Sequence, residues 1–145
     1  MKFENSVVIS QPVEHVFKFV TNPRNNAIWQ SDILELEMTS ENHSGLGATY
    51  RCVNRFMGIR IESENVITDY APSKACCIQI RNGSSIGECS MFFEAVEDGT
   101  KFTASGDLDM QYFKLLKMIA KRKINQQIKK DMLKLRYILE NRKKS

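Results

Sequence analysis

Residues 7–17 read Val7-Val8-Ile9-Ser10-Gln11-Pro12-Val13-Glu14-His15-Val16-Phe17, and this stretch decides the fold of the chain. Apolar residues alternate weakly with polar ones over residues 3–10, which predicts a strand. Pro12 suits the first turn of a helix, because the N–H that proline lacks would have no partner there. The carboxylate of Glu14 favours the same turn. The chain is therefore predicted to open with a strand that leads directly into a short helix.

The next segment predicts a second short helix followed by antiparallel strands. Asn22-Pro23 ends the first helix, and residues 24–30 are predicted to form another that carries the single tryptophan, Trp29. From Leu34 onward the apolar period falls to two residues, as in half-buried strands. Turn sequences such as Asn82-Gly83 separate these strands. We predict six of them, over residues 34–38, 48–56, 59–70, 76–81, 86–96 and 100–110.

From about Gln111 the apolar period returns to 3.6 residues, which predicts an amphipathic helix. No glycine or proline interrupts this run, so we expect one continuous helix of about eight turns. The order of strand, two short helices, six strands and long helix predicts a single α+β domain over residues 1–145. The apolar stripe of the long helix comprises Tyr112, Leu116, Ile119, Ala120, Ile124, Ile128, Met132, Leu135 and Leu139.

Charge is divided unevenly between the last helix and the rest of the chain. The sequence has 145 residues with 21 Lys and Arg and 17 Asp and Glu, for a net charge of +4. From Gln111 onward there are twelve basic and two acidic residues, so this segment carries +10 and the remainder −6. The division indicates either an anionic partner or a basic helix that complements its own acidic body.

Several features favour a cytoplasmic location. No apolar run approaches the roughly 20 residues of a membrane span, and residues 1–5 lack the apolar core of a signal peptide. The four cysteines form no CxxC pair, and we interpret them as reduced and buried. They are Cys52, Cys76, Cys77 and Cys89.

The pattern resembles the START-like superfamily, also called the SRPBCC or helix-grip fold, and its polyketide cyclase/dehydrase-like branch in particular. Residues 7–17 are similar to the opening strand and proline-led helix of that branch. Asn22-Pro23 and Trp29 are similar to the next loop and short helix, and Phe93-Glu94 with Gly99-Thr100 to the penultimate hairpin. The resemblance covers essentially the whole chain. It implies a curved antiparallel sheet of about seven strands wrapped around the C-terminal helix, enclosing a cavity.

Members of that superfamily bind lipids, sterols, polyketides and hormones, and a minority are enzymes. The resemblance therefore implies that large apolar side chains on the concave face form a cavity wall, although a filled core is the alternative. Soft and aromatic side chains suit an apolar guest. The predicted ligand-binding residues are Trp29, Tyr50, Cys52, Ile61, Ile78, Met91, Phe93, Phe102, Leu108, Leu116, Ile119 and Ala120.

Residues suited to catalysis form no recognisable motif, and we assign no catalytic residue. His15 and His43 have no Cys, Asp or Glu at metal-ligand spacing, so we expect no metal site. Phosphate-loop, dinucleotide and serine-nucleophile motifs are absent, and we expect no cofactor. Strand carboxylates alternate out of phase with apolar residues, which predicts a solvated outer face. They are Glu62, Glu64, Glu88, Glu94, Asp107 and Asp109, with Glu88, Ser90 and Asn54 left open because their strands alternate less cleanly.

We interpret the chain as a binding protein for a small hydrophobic molecule, such as a lipid or polyketide, and expect a monomer or weak dimer. The first alternative is a cyclase or dehydratase, which would need an inward polar residue with a shifted pKa. The second is a module that docks on an anionic membrane or partner through the basic helix. This helix lacks the interleaved exposed aromatics that stack on bases, so we expect no nucleic-acid partner.

Overall fold

The computed structural model describes residues 1–109 and 111–141, with all of their side chains except those of Gln111 and Tyr112. No helix in this part of the chain is both long and apolar enough to cross a membrane. The elements in chain order are β1 Lys2–Ile9, α1 Val13–Val20, a 3₁₀ turn Pro23–Asn25, α2 Asn26–Trp29, β2 Ile33–Met38, β3 Thr49–Phe56, β4 Ile59–Ala71, β5 Ala75–Asn82, β6 Ser85–Val96, β7 Gly99–Asp107, a 3₁₀ segment Gln111–Leu116 and α3 Lys117–Asn141.

The seven strands form one antiparallel sheet in the order β1-β7-β6-β5-β4-β3-β2. Consecutive strands from β2 to β7 are neighbours, and β1 returns beside the last strand, where Val7 lies opposite Phe102. A two-residue turn joins β3 to β4, with φ of 51° at Met57 and 80° at Gly58, the positive values that a tight hairpin requires. The predicted α+β helix-grip fold, with two short helices after the first strand, is confirmed.

Helix α3 runs along the edge strand β1. Near its middle, Asn5 Nδ2 donates a hydrogen bond to Asn125 Oδ1 at 3.1 Å. Near its end, the backbone N–H of Ser10 donates to Glu140 Oε2 at 2.8 Å. Three apolar residues of its second half, Met132, Leu135 and Leu139, are buried in the main core together with residues such as Ile9 and Phe102.

The predicted continuous helix from Gln111 is wrong at its beginning. Residues 111–116 form a 3₁₀ segment in which Phe113 has non-helical φ of −122° and ψ of 26°. The Phe113 ring is buried against Phe56, with ring centroids 5.3 Å apart, so tertiary packing overrides the local helical preference. Helix α3 therefore has 25 residues, about seven turns. Tyr112 of the predicted stripe lies outside the described side chains.

The predicted last strand also ends early, because β7 stops at Asp107. Residue 110, where that strand was predicted to end, lies outside the described residues. The N-terminus occupies the space beyond β7, since the backbone N–H of Leu108 donates to the carbonyl of Met1 at 2.8 Å. The ammonium group of Met1 also contacts Asp107 Oδ1 at 2.9 Å. This junction fixes the path of the chain between the sheet and α3.

Phe93 is a central packing residue of the core. Its ring meets Phe17 of α1 edge-on, with centroids 5.0 Å apart. It also stacks on Phe102 at 5.1 Å with an interplanar angle of 17°. The adjacent Phe92 points to the other face of the sheet and is 48% exposed. Phe93 therefore joins α1 to the sheet, whereas Phe92 provides a neighbouring phenylalanine outside the core.

Replacing Phe93 by alanine should lower the free energy of unfolding by about 3–5 kcal/mol, because it removes a buried ring and leaves a void. Phe92→Ala, which removes the same atoms from the outer face, should cost less than about 1 kcal/mol. Urea denaturation followed by circular dichroism would measure both values. Equal costs for the two variants would contradict the assignment of Phe93 to the core.

Candidate functional site

A cavity of about 290 Å³ lies between the concave face of the sheet and α3, with α2 at one side. Strands β3 to β7 contribute inward side chains, and α3 contributes residues from its first half and middle. The apolar part of the lining includes Trp29, Tyr50, Ile61, Met91, Phe102 and Ile128. The volume is near the lower end of the roughly 300–1,000 Å³ of small-molecule pockets.

Eight of the twelve sequence-predicted ligand-binding residues lie around this cavity. Six are strand residues whose side chains point to the concave face, and the other two lie in α2 and just after β7. They are Trp29, Tyr50, Cys52, Ile61, Ile78, Met91, Phe102 and Leu108. Pairing places them side by side, as with Ile78 opposite Cys89, which also lines the cavity. Their role in binding a ligand stays a prediction.

The other four predicted residues lie outside the cavity lining. Phe93 is in the core behind Phe102. Leu116 and Ile119 are each 47% exposed. Ala120 is buried in a separate cluster with Phe56 and Phe113. The residues that α3 does bring to the cavity are Ile124, Gln127, Ile128, Asp131 and Met132.

Polar residues on β3 and β4 line the cavity beside the apolar ones, and sequence reasoning missed two of them. Ser63 and Asn65 are buried, and Asn65 Nδ2 donates to Ser63 Oγ at 3.1 Å. Asn54, left open by its strand pattern, points inward and donates from Nδ2 to Asp32 Oδ2 at 2.8 Å. The signal was present, because Ser63 and Asn65 continue the inward phase of Ile61 along the strand.

Asp131 is the buried carboxylate of the site, with 5% of its surface exposed. The backbone N–H and the hydroxyl of Ser31 donate to its Oδ1 at 3.3 and 2.9 Å. Burial raises the pKa of Asp131, with a further rise from Asp32, while the Ser31 hydrogen bonds and Lys134 act in the opposite direction. Sequence reasoning counted Asp131 only as a charge, although it falls on the apolar stripe, three residues after Ile128.

Trp29 presents an unusual polar group at the same site. Its ring packs edge-on to Phe102, with centroids 6.2 Å apart. Its Nε1–H is buried and has no hydrogen-bond partner among the described residues. Such a donor costs about 1–3 kcal/mol when left unpaired. The Tyr50 hydroxyl is also inside, and burial raises its pKa well above the ordinary value, so the phenol stays neutral.

The other cysteine, histidine and acidic side chains of the described residues differ in burial and in their surroundings. Burial raises the pKa of the Cys52, Cys76 and Cys89 thiols to about 12, so they are protonated at neutral pH and are poor nucleophiles. His15 and His43 are exposed. No cluster of three His, Cys, Asp or Glu side chains suited to a metal ion occurs among the described residues. The strand carboxylates considered above are all exposed: Glu62, Glu64, Glu88, Glu94, Asp107 and Asp109.

Comparisons with known proteins agree with this architecture. A family model described as polyketide cyclase / dehydrase and lipid transport matches residues 1–140. No curated protein matches the sequence significantly. TTHA0849 from Thermus thermophilus is 16% identical with a TM-score of 0.76, over 94% of this chain and 95% of that one. CV1439 from Chromobacterium violaceum is 11% identical with a TM-score of 0.76, over 97% of this chain and 98% of that one.

A further structural match comes from a biosynthetic locus. DynU16, a protein of the dynemicin biosynthetic locus, is 14% identical with a TM-score of 0.69. The match covers 97% of this chain and 47% of DynU16. The TM-scores show a shared fold, and at these identities nothing further about the cavity follows from the matches.

Asp131→Asn should stabilise the protein relative to wild type by an amount that grows as pH rises from about 3.5 to 7.5. The pKa of Asp131 is raised on folding above its unfolded value of about 3.9. The folded state therefore binds more protons between these two pKa values, and wild-type stability falls with rising pH across that window. Asparagine does not titrate, so the stability of the variant lacks this pH dependence.

Urea denaturation at both pH values would measure the difference. The matched control is Asp98→Asn, which removes the same charge from an exposed residue of the turn between β6 and β7. A difference between Asp131→Asn and wild type that shrinks with rising pH would contradict the assignment of a buried, destabilised carboxylate.

Proposed function

Because this chain belongs to the polyketide cyclase/dehydrase and lipid transport family, we propose that it binds a small, largely apolar molecule in the cavity between the sheet and α3. The observation that supports this most directly is the cavity itself, whose lining surface is mainly apolar with polar side chains among the apolar ones. That composition is typical of small-molecule sites, where apolar walls supply affinity and a few polar groups fix orientation.

The volume of the cavity limits the size of the molecule that it can bind. A volume of about 290 Å³ corresponds to about ten water molecules at roughly 30 Å³ each, so a compact guest of similar atom count fits. Burial of roughly 200 Å² of apolar ligand surface would contribute about 5 kcal/mol before the entropy cost of binding. Naphthalene, with ten carbon atoms and no polar group, is therefore a suitable test ligand.

Ala104→Leu should weaken naphthalene binding about tenfold or more, because the added carbon atoms occupy the space that the guest needs. Ala104 lines the cavity on β7, opposite Met91 on β6. Ala95→Leu makes the same change at an exposed residue of β6 and should leave affinity unchanged. Isothermal titration calorimetry would measure both, with circular dichroism as the check of folding.

Absence of binding to the wild type by both naphthalene and its hydroxyl derivative 2-naphthol, or equal naphthalene affinity in a folded Ala104→Leu variant, would overturn the proposal. Native mass spectrometry of protein purified from its own host complements this test, since a co-purifying mass would identify the class of the natural guest. Asp131 is an inward carboxylate with a raised pKa, which is one of the features that an enzyme would need here. One acid or base defines no reaction, and binding is accordingly the function that we propose.

A second candidate function is docking on an anionic membrane surface, which an exposed patch at the start of α3 favours. Leu115 is 99% exposed and Met118 is 83% exposed, and both lie among exposed lysines at positions 114, 117 and 121. Apolar side chains beside basic ones are typical of helices that insert shallowly into anionic bilayers. Ile124 belongs both to the adjoining cluster and to the cavity lining, so docking there would bring the cavity close to lipid.

Changing Leu115 and Met118 together to serine should abolish co-sedimentation with vesicles that contain phosphatidylglycerol, because the inserting side chains are lost. The matched control changes Leu133 and Tyr137, which are also exposed on α3, to serine. Binding should be weaker to pure phosphatidylcholine vesicles and should fall with added salt. Binding that is equal for the two double variants, or insensitive to salt, would remove this candidate function.

A further inference from the structure

Two buried polar side chains of the cavity lining, Trp29 and Asp131, come from the neighbouring helices α2 and α3. Trp29 ends α2, and Ser31, two residues later, donates both of its hydrogen bonds to Oδ1 of Asp131. Oδ2 of Asp131 therefore remains able to accept a further hydrogen bond. Trp29 and Asp131 both line the cavity and are 6% and 5% exposed. The lining therefore includes a buried donor without a partner among the described residues, and a buried carboxylate oxygen that can accept, the latter held by the residue two positions after Trp29.

The charge of the lining has one sign. Its charged residues are Asp32, Asp109 and Asp131, and no lysine or arginine belongs to the lining among the described residues. The acidic lining contrasts with the composition of the whole chain, which has 21 lysines and arginines and a net charge of +4. The basic residues of α3 point to solvent, whereas Asp131 of the same helix faces the cavity.

We infer that the cavity selects its guest by a neutral hydroxyl group and rejects carboxylates, with Trp29 and Asp131 as the recognising pair. This inference rests on the proposed function and specifies the class of ligand. A hydroxyl group both donates and accepts hydrogen bonds, so it satisfies Asp131 Oδ2 and Trp29 Nε1 together. The guest is thus a compact alcohol or phenol with an apolar body.

Other polar groups satisfy only part of this site. A carboxylate would accept from Trp29 Nε1, but it would lie beside Asp131 with Asp32 nearby, and like charges in a partly buried site repel strongly. An ammonium group would pair with Asp131 and leave the Trp29 N–H without an acceptor. Apolar compounds without a polar group gain the burial term alone.

A matched ligand series tests the inference on the full chain at pH 7: 2-naphthol, naphthalene and 2-naphthoate share one ring system and differ in the polar group. By calorimetry, 2-naphthol should bind about fivefold tighter than naphthalene and at least about tenfold tighter than 2-naphthoate. If 2-naphthoate binds as tightly as 2-naphthol, the inference is overturned while the proposed cavity binding stands. If none of the three binds, the proposed function fails and the inference fails with it.

Two variants assign the effect to its residues. Asp131→Asn keeps the side-chain shape without the charge and should narrow the gap between 2-naphthol and 2-naphthoate, while Asp98→Asn at the exposed turn should leave it unchanged. Trp29→Phe removes the N–H and should reduce the ratio of the 2-naphthol affinity to the naphthalene affinity from about five toward one. Folded variants that keep both wild-type ratios would overturn the assignment to this pair. The wild-type series decides the selectivity even if a variant fails to fold.

Discussion

The attachment of α3 to the edge strand β1 is the constraint on which the rest of this structure depends. Hydrogen bonds from Asn5 and Ser10 hold the helix along that edge, and Leu135 and Leu139 are fully buried in the core. Helix α3 makes its main strand contact with β1, and the inward side chains of the more distant strands β3 to β5 line a space between the sheet and the helix. A helix laid across the middle of the sheet would fill this volume with its own side chains.

The contents of that space are not those of a core selected for stability alone. Buried polar groups cost free energy unless they are paired. Asn65 and Asp131 have partners within the protein, whereas Trp29 Nε1 has none among the described residues. Local departures from good packing rules tend to concentrate at functional sites. The indole of Trp29 and the carboxyl of Asp131, whose pKa is raised by burial, both belong to the cavity lining, which is consistent with the proposed recognition of a guest there.

Sequence periodicity predicted the strands, the short helices and the fold class, because alternation and proline position act locally. Together with the resemblance to the helix-grip fold, it pointed to eight residues that line the cavity, since the inward phase of a strand follows from its pattern. It failed at Phe113, whose ring packs on a strand distant in sequence and breaks the helical run. It also passed over Asp131, because charge counting treats every carboxylate on a basic helix alike and burial depends on what faces it.

The division of charge across α3 links these observations. One face of the helix carries the excess of lysine and arginine to solvent, and the other brings a single carboxylate to the cavity. Under the two proposals above, the exterior would attract anions such as lipid headgroups, while the interior would repel them. An amphiphile held at the surface by its anionic group would be kept from entering head first, whereas a neutral alcohol meets no such barrier. Solved proteins that are only 11–16% identical share this fold. The fold therefore accounts for the cavity, and the side chains that line the cavity must determine which molecules bind in it.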